Sequence, residues 1–355
     1  MKNFILQSRK SLIICFLLAT TGLFAQTTHI VNNNTGTSAD FTDLQAAIDT
    51  AANGDIIYVQ QSATSYGAIT LNKGVTIVGR SNGDASYKSE VGRITLDAGA
   101  SNAVVKGLKI SDIQEAANTS TMTDISFFDN DIKSGISLGS TDTYNNLLFQ
   151  GNIIRSSIVI YTNTSNVLIT NNIILASSVS LYMVDTLLFS NNVFGYYAGV
   201  QIYNYSSSLL NISNSIFVAG YPINSSVSLS AGSGTIQVDN CISYNYDVSV
   251  SYNFTTGAGI TINANVQENV NPLFTAVDDS NSMSIAALYS SNFDPINDDL
   301  TLQAGSTVVD DGLYEGYNFK NFGTPTGYPS IKVLANSATV PKNGNLSVTI
   351  EAKTN

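Results

Sequence analysis

Lys133 and Arg155 each stand three residues after an asparagine, Asn130 and Asn152, in two segments that share one pattern. If such segments stack, the two cations sit about 4.8 Å apart, one strand spacing. Asp124, Asp129, Asp131 and Asp142 lie in or beside the same segments. Cations that close repel unless carboxylates or a bound anion stand between them. A base beside a carboxylate able to hold a cation is also the least that β-elimination from a uronate-containing glycan requires. Lys133, Arg155 and Asp131 are therefore the candidate catalytic residues, and ordinary surface ion pairing is the competing account of the same charges.

Tyr161, Tyr182 and Tyr203 point to binding instead. Each follows an apolar residue of a short alternating run (Ile160, Leu181, Ile202), so alternation predicts that each faces outward. Rings along an exposed strip, with Asn, Ser and Thr beside them, make a platform for sugar rings; they also stabilise a sheet by packing on one another. Leu148, Leu168 and Leu188 align in the same way, as an apolar stripe that a C-terminal segment or a second molecule would cover. Asp294, Asp298 and Asp299 belong to an acidic stretch without cations, and such oxygens suit Ca²⁺ outside the cell. No EF-hand or nonapeptide calcium motif accompanies them, and solvated surface acids account for them as well. No other metal and no organic cofactor is implied.

The elements that position these residues come from a repeat. Phe127 to Ile132, Phe149 to Ile154, Ile169 to Ile174 and Phe189 to Phe194 follow one template, apolar residue, then Asn three positions later, then apolar again. The asparagines recur at 130, 152, 172 and 192, intervals of 22, 20 and 20. Ser215 and Cys241 continue the series, and Leu108 precedes it. Each copy holds short runs of period two separated by Asn, Ser, Thr and Gly turns, with no helical period. Strands this short bury their apolar faces only by stacking copy upon copy, which predicts an all-β solenoid, most simply a right-handed parallel β-helix. Asn130, Asn152, Asn172 and Asn192 then have a structural role, because Asn suits left-handed turns and can hydrogen-bond along a stack. At the start, Thr42-Asp43-Leu44-Gln45 reads as a capping box, and Leu44, Ala47, Ile48 and Ala51 as the apolar face of a short helix that closes the first coil.

Residues 1–25 read as a secretory signal: Lys2, Arg9 and Lys10, then the apolar run from Leu12 to Leu18, then Leu23-Phe24-Ala25 before Gln26. The expected organisation is this leader, a solenoid over 26–314, and a linker with a β-hairpin tail over 315–355. The formal net charge is −11, and losing the leader's cations makes it more negative, which disfavours nucleic acid as a partner. No second apolar run reaches the roughly 20 residues of a membrane span. With Cys15 in the leader, Cys241 stands alone and reads as a small buried hydrophobe. The expected location is extracellular or at the cell surface.

Phe41 to Asp49, Asn53 to Val59 and Gly74 to Gly79 together resemble the start of proteins of the pectin-lyase-like right-handed β-helix superfamily. Asn271-Pro272-Leu273-Phe274 and Asp299 to Ser306 are similar to the last coil of exported bacterial β-helix proteins, and the tail from Gly327 is similar to the ends of Bacteroidetes surface proteins. The resemblance implies the fold over nearly the whole mature chain. It does not imply one activity, since the superfamily holds lyases, hydrolases, esterases and non-catalytic surface proteins. Polygalacturonase-type members use paired Asp with a His and an Arg-x-Lys; His29 is the only histidine here, and no Arg-x-Lys occurs. The Asp, Arg and Gln set of the esterases has no counterpart. The 164 residues from Ser156 to Phe319 lack Lys and Arg, which removes most of the chain as a host for a lyase base. The expectation is an exported, non-catalytic protein that binds polysaccharide or cell-surface partners through its outer face; a polysaccharide lyase and a structural or adhesive spacer are the alternatives.

Overall fold

The computed structural model describes residues 26–80, 88–182, 187–196, 198–220, 226–276, 299–303, 305–306, 329–336 and 348–354. The leader at 1–25, Asp294 and Asp298 lie outside the described residues. The period-two runs form strands, and successive copies pair in parallel into a solenoid with three long sheets of 11, 9 and 8 strands. The all-β parallel architecture read from the repeat is the one observed.

In the first sheet, Thr121–Phe128, Thr143–Gln150, Thr164–Thr170 and Leu187–Ser190 pair so that Phe127, Phe149, Ile169 and Phe189 fall in one inward column. Phe127 and Phe149 stack at 5.1 Å between ring centroids. Leu148, Leu168 and Leu188 form the adjoining outward column and are half-buried. The second sheet includes Ile136–Leu138, Ile158–Ile160, Ser178–Leu181 and Gln201–Asn204, again with alternate residues in the core.

The third sheet differs, because from Ile153–Ile154 to Ile216–Ala219 both its faces are buried. Ile154, Ile174, Phe194 and Phe217 point into the solenoid core, while Ile153, Ile173, Val193 and Ile216 join a second apolar cluster with Phe274 and Leu300. A sheet covered on both faces reads as unbroken apolar runs, as in Ile173-Ile174-Leu175 and Ile216-Phe217-Val218. The sequence reading carried the solenoid to residue 314. Among the described residues, parallel stacking ends with Gln267–Glu268, and Phe274–Ala276 pairs antiparallel with Asp299–Leu302. Phe274 and Leu300 of this pair pack on the outer face of the third sheet.

At the other end, the helix Leu44–Thr50 buries Leu44, Ala47 and Ile48 in the core. Its N-cap is Asp43, whose carboxylate accepts the Ala46 N–H at 2.7 Å, so the cap lies one residue later than the Thr42 capping box predicts. Gln45, the other half of that box, bonds instead to the Thr70 backbone on the next coil. Asp55 ties the first strand, Thr28–Val31, into place by accepting from Thr27 and Ala52 N–H, with His29 Nε2 at 3.1 Å. Burial by itself would raise the Asp55 carboxyl, but these contacts outweigh it and hold the group below its ordinary value. Its contribution is therefore present near neutrality and is lost as pH falls through the folded-state value.

Pro329–Asn336 and Val348–Thr354 form an antiparallel pair. Among the described residues, no helix is long and apolar enough to cross a membrane.

Candidate functional site

The tyrosines stand on the outer face of the second sheet. Ile160 pairs with Leu181, and the following backbone bonds, Tyr182 N–H to Ile160 O and Tyr205 N–H to Leu181 O, carry the register one step further. After the buried Gly139, one outward column thus reads Tyr161, Tyr182, Tyr205, Gly232. Tyr205, rather than Tyr203, is the third member. Ile202 pairs with Val179, one inward position before Leu181, so Tyr203 falls opposite Ser180 in the neighbouring column of Ser137, Val159, Ser180, Tyr203 and Ser230. The connection ahead of Gln201–Asn204 is longer than the one ahead of Ser178–Leu181, and this displaced the sequence alignment.

The rings lie nearly parallel. Tyr161 and Tyr182 are 5.5 Å apart between centroids at 13°, Tyr182 and Tyr205 4.6 Å at 17°, and Tyr205 and Tyr203 5.5 Å at 9°. The platform predicted for sugar rings is therefore altered, because the facing surfaces of successive rings in the column are spent on each other. The column offers solvent ring edges and phenol hydroxyls, one ring per coil. Tyr205 is 43% exposed, and Tyr161, Tyr182 and Tyr203 are half-buried. The Tyr203 hydroxyl donates to Gln201 at 2.7 Å, and Ser157 and Ser178 hydroxyls meet at 3.0 Å beside the column.

Lys133 and Arg155 do occupy one position on consecutive coils, as their bonds to Ile110 O and Ile132 O require. They are not a pair of cations facing one site. Arg155 grips Asp131 through two parallel bonds, Nε to Oδ1 at 2.6 Å and Nη2 to Oδ2 at 3.0 Å. Asp131 is 1% exposed and also has Lys109 Nζ at 3.9 Å. Lys133 lies 3.4 Å from Glu90, which Lys88 approaches at 3.1 Å. Burial by itself would raise the Glu90 carboxyl; Lys88 and Lys133 outweigh it and keep the group below its ordinary value. Glu90, Lys109 and Asp131 alternate in sign along one outward column of the third sheet, which turns apolar at Ile153 and Ile173. A guanidinium whose donors are engaged this way by a carboxylate is poorly placed to act as a base.

Asn130, Asn152, Asn172 and Asn192 are buried and form a ladder along the axis. Asn172 Oδ1 accepts from the Asn152 N–H at 2.8 Å and Nδ2 at 3.1 Å, and Asn172 Nδ2 donates to Phe149 O and Thr170 O at 2.9 Å each. The left-handed turn lies one residue earlier than read from the sequence: Gly107, Asp129, Gly151, Asn171, Asn191, Asn214 and Asn240 have φ between 45° and 71°. Two roles given to one asparagine thus belong to adjacent positions. Leu108 begins the ladder without a polar group because it packs over Gly79, where an added Cβ would meet Leu108 Cδ2 at 2.7 Å. Cys241 fills the last slot, its Sγ 3.2 Å from Asp239 O, and burial pushes its thiol up to about 12.

Asp129, at one of these turns, is pushed up to about 6 by burial, against the pull of Lys106. Folding then favours the protonated acid, so ionisation costs stability, with the cost absent below about pH 4 and complete above about pH 6. Asp129→Asn is expected to raise the urea midpoint at pH 7.5 and leave it unchanged at pH 4; equal shifts at both would exclude an ionisation effect. Asn already fills this turn in four later coils, so the backbone accepts it.

The turns beside the strand Ile113–Glu115 are held by acids. Glu115 accepts from the Gly139, Thr141 and Asp142 N–H groups, and Asp142 from those of Ala117, Asn118 and Ser120. Tyr144 lies fully buried with its hydroxyl lacking a hydrogen-bond partner, and burial, then Asp142, Glu115 and Asp97, push that phenol upward. Tyr144→Phe should therefore raise stability by about 1 kcal/mol, read as a higher denaturation midpoint with unchanged slope; a loss would mean that the hydroxyl is satisfied. Among the described residues, no group of three or more His, Cys, Asp or Glu is placed to hold a metal ion. Asp299 opens the strand Asp299–Leu302, while Asp294 and Asp298, the other calcium candidates, lie outside the described residues.

No described family, characterised protein or solved structure is significantly similar to this chain.

Proposed function

We propose that the chain is an exported right-handed β-helix protein of the pectin-lyase-like kind that binds polysaccharide, outside the cell or at its surface, without cleaving it. The observation that carries the reading is the outward column Tyr161, Tyr182 and Tyr205, with Tyr203 beside it. Phenol hydroxyls both donate and accept, the partly positive ring edges suit sugar hydroxyl and ether oxygens, and the stack holds the side chains in place before a ligand arrives, which lowers the entropy lost on binding. The leader-like residues 1–25 support export. The ion pairs of Arg155 and Lys133 favour binding over β-elimination, since each cation already serves a carboxylate.

The test is retention on a panel of immobilised glycans, with absorbance of unsaturated uronate products followed on every hit. The native chain should be retained with no product, and the variant with Tyr161, Tyr182 and Tyr205 all changed to Ala should not be retained while keeping its β-rich circular dichroism. Equal retention of the folded variant would remove the tyrosine column as the site, and product formation would move the site to Lys133 and Arg155.

A further inference from the structure

We infer that the ligand of the tyrosine face is an uncharged, linear polysaccharide that lies along the solenoid axis. This rests on the glycan reading and narrows it to a chemical class and a direction. Across five consecutive coils, from Ile136–Leu138 to Ser228–Ala231, the register gives this sheet only Gly, Ser, Val, Gln and Tyr at its outward positions, with no charged residue among them. The window is bounded on one side by the Arg93–Asp112 ion pair, at 2.6 Å. It spans four coil spacings, about 19 Å.

Two arguments exclude an acidic chain as the preferred ligand. A uronate or sulfate polymer needs cations to replace its counterions, and this face has none. The whole chain carries a formal charge of −11, so its field repels such a polymer before contact. A neutral sugar chain meets neither barrier and finds hydroxyl partners in Ser137, Ser180, Ser230 and the phenols. The direction follows from the repeat. Similar hydrogen-bonding groups recur along the axis once per coil, whereas along a strand the face is only three outward residues wide. A polymer of identical units gains most where the protein's groups also repeat.

The test compares the full chain on linear neutral polysaccharides (β-glucan, xylan, mannan) and acidic ones (pectate, alginate) at low and high salt. Retention on a neutral chain, unchanged by salt, is expected. Ser180→Asp, which sets a charge at the centre of the face, should weaken it about tenfold. Should that variant unfold, Tyr205→Phe removes one exposed hydroxyl without changing the stack and should weaken retention by a smaller factor. Retention only on acidic chains, fading with salt, would overturn this inference and leave the glycan reading standing. Retention on none would overturn the glycan reading itself.

Discussion

Asn172→Leu is expected to lower the free energy of unfolding by about 4 kcal/mol or more. Leucine has the branched shape of asparagine with bulkier end groups, and Leu108 occupies the equivalent slot where Gly79 leaves room, so overpacking adds to the loss. The rest comes from hydrogen bonds. Without the Asn172 amide, the Asn152 N–H, the Phe149 and Thr170 carbonyls and the Asn192 Oδ1 each lose a partner in a buried place. A buried polar group left unpaired costs about 1–3 kcal/mol, and part of that is recovered where a group has a second partner. Urea unfolding followed by circular dichroism measures the change. A loss under 1 kcal/mol would mean that the ladder is a consequence of stacking and does not hold the coils together.

Asp131→Ala comes next, with an expected loss of about 3 kcal/mol. Asp131 is 1% exposed and Arg155 11% exposed, so removing the carboxylate takes a two-point acceptor from a guanidinium with little water around it. Lys109 loses a counter-charge at the same time. Exchanging both members for apolar residues should cost less than removing one, since the next coils place Ile153 and Leu175 at the corresponding positions. The double variant Asp131→Ile with Arg155→Leu is therefore expected to be more stable than Asp131→Ala, measured by the same unfolding curves. If the two are equally unstable, the ion pair is favourable in its own right and the desolvation argument fails.

Much of the architecture was legible because a solenoid writes its geometry into its period. The Asn series set the coil length, and alternation around Ile160 and Leu181 assigned inside and outside correctly. What escaped was local. One longer connection shifted Tyr203 out of the column and put Tyr205 into it, and only the observed register reveals such a slip. The left-handed turn was placed on the asparagine of the ladder because one residue type suits both positions; the row Gly107, Asp129, Gly151, Asn171 one step earlier held the missing signal. The double runs Ile153-Ile154 and Ile173-Ile174 held the signal of a sheet buried on both faces, which went unused because the covering segment was assigned to the Leu148, Leu168 and Leu188 stripe. The ring orientation was not in the sequence, since residue types fix which side a ring takes and not whether its face or its edge meets solvent.

Binding as proposed, on the tyrosine face of the second sheet and not on the charged ledge of the third, predicts where a ligand protects the backbone. Backbone hydrogen exchange, compared with and without the neutral polysaccharide that is best retained, separates the two directly. Slowed exchange at 158–161, 179–182 and 201–205, with no change at 109–111, 131–133 and 155, is the expected outcome. Protection centred on Lys109, Asp131, Lys133 and Arg155, with the tyrosine strands unaffected, would contradict it and reassign the site to the ion pairs.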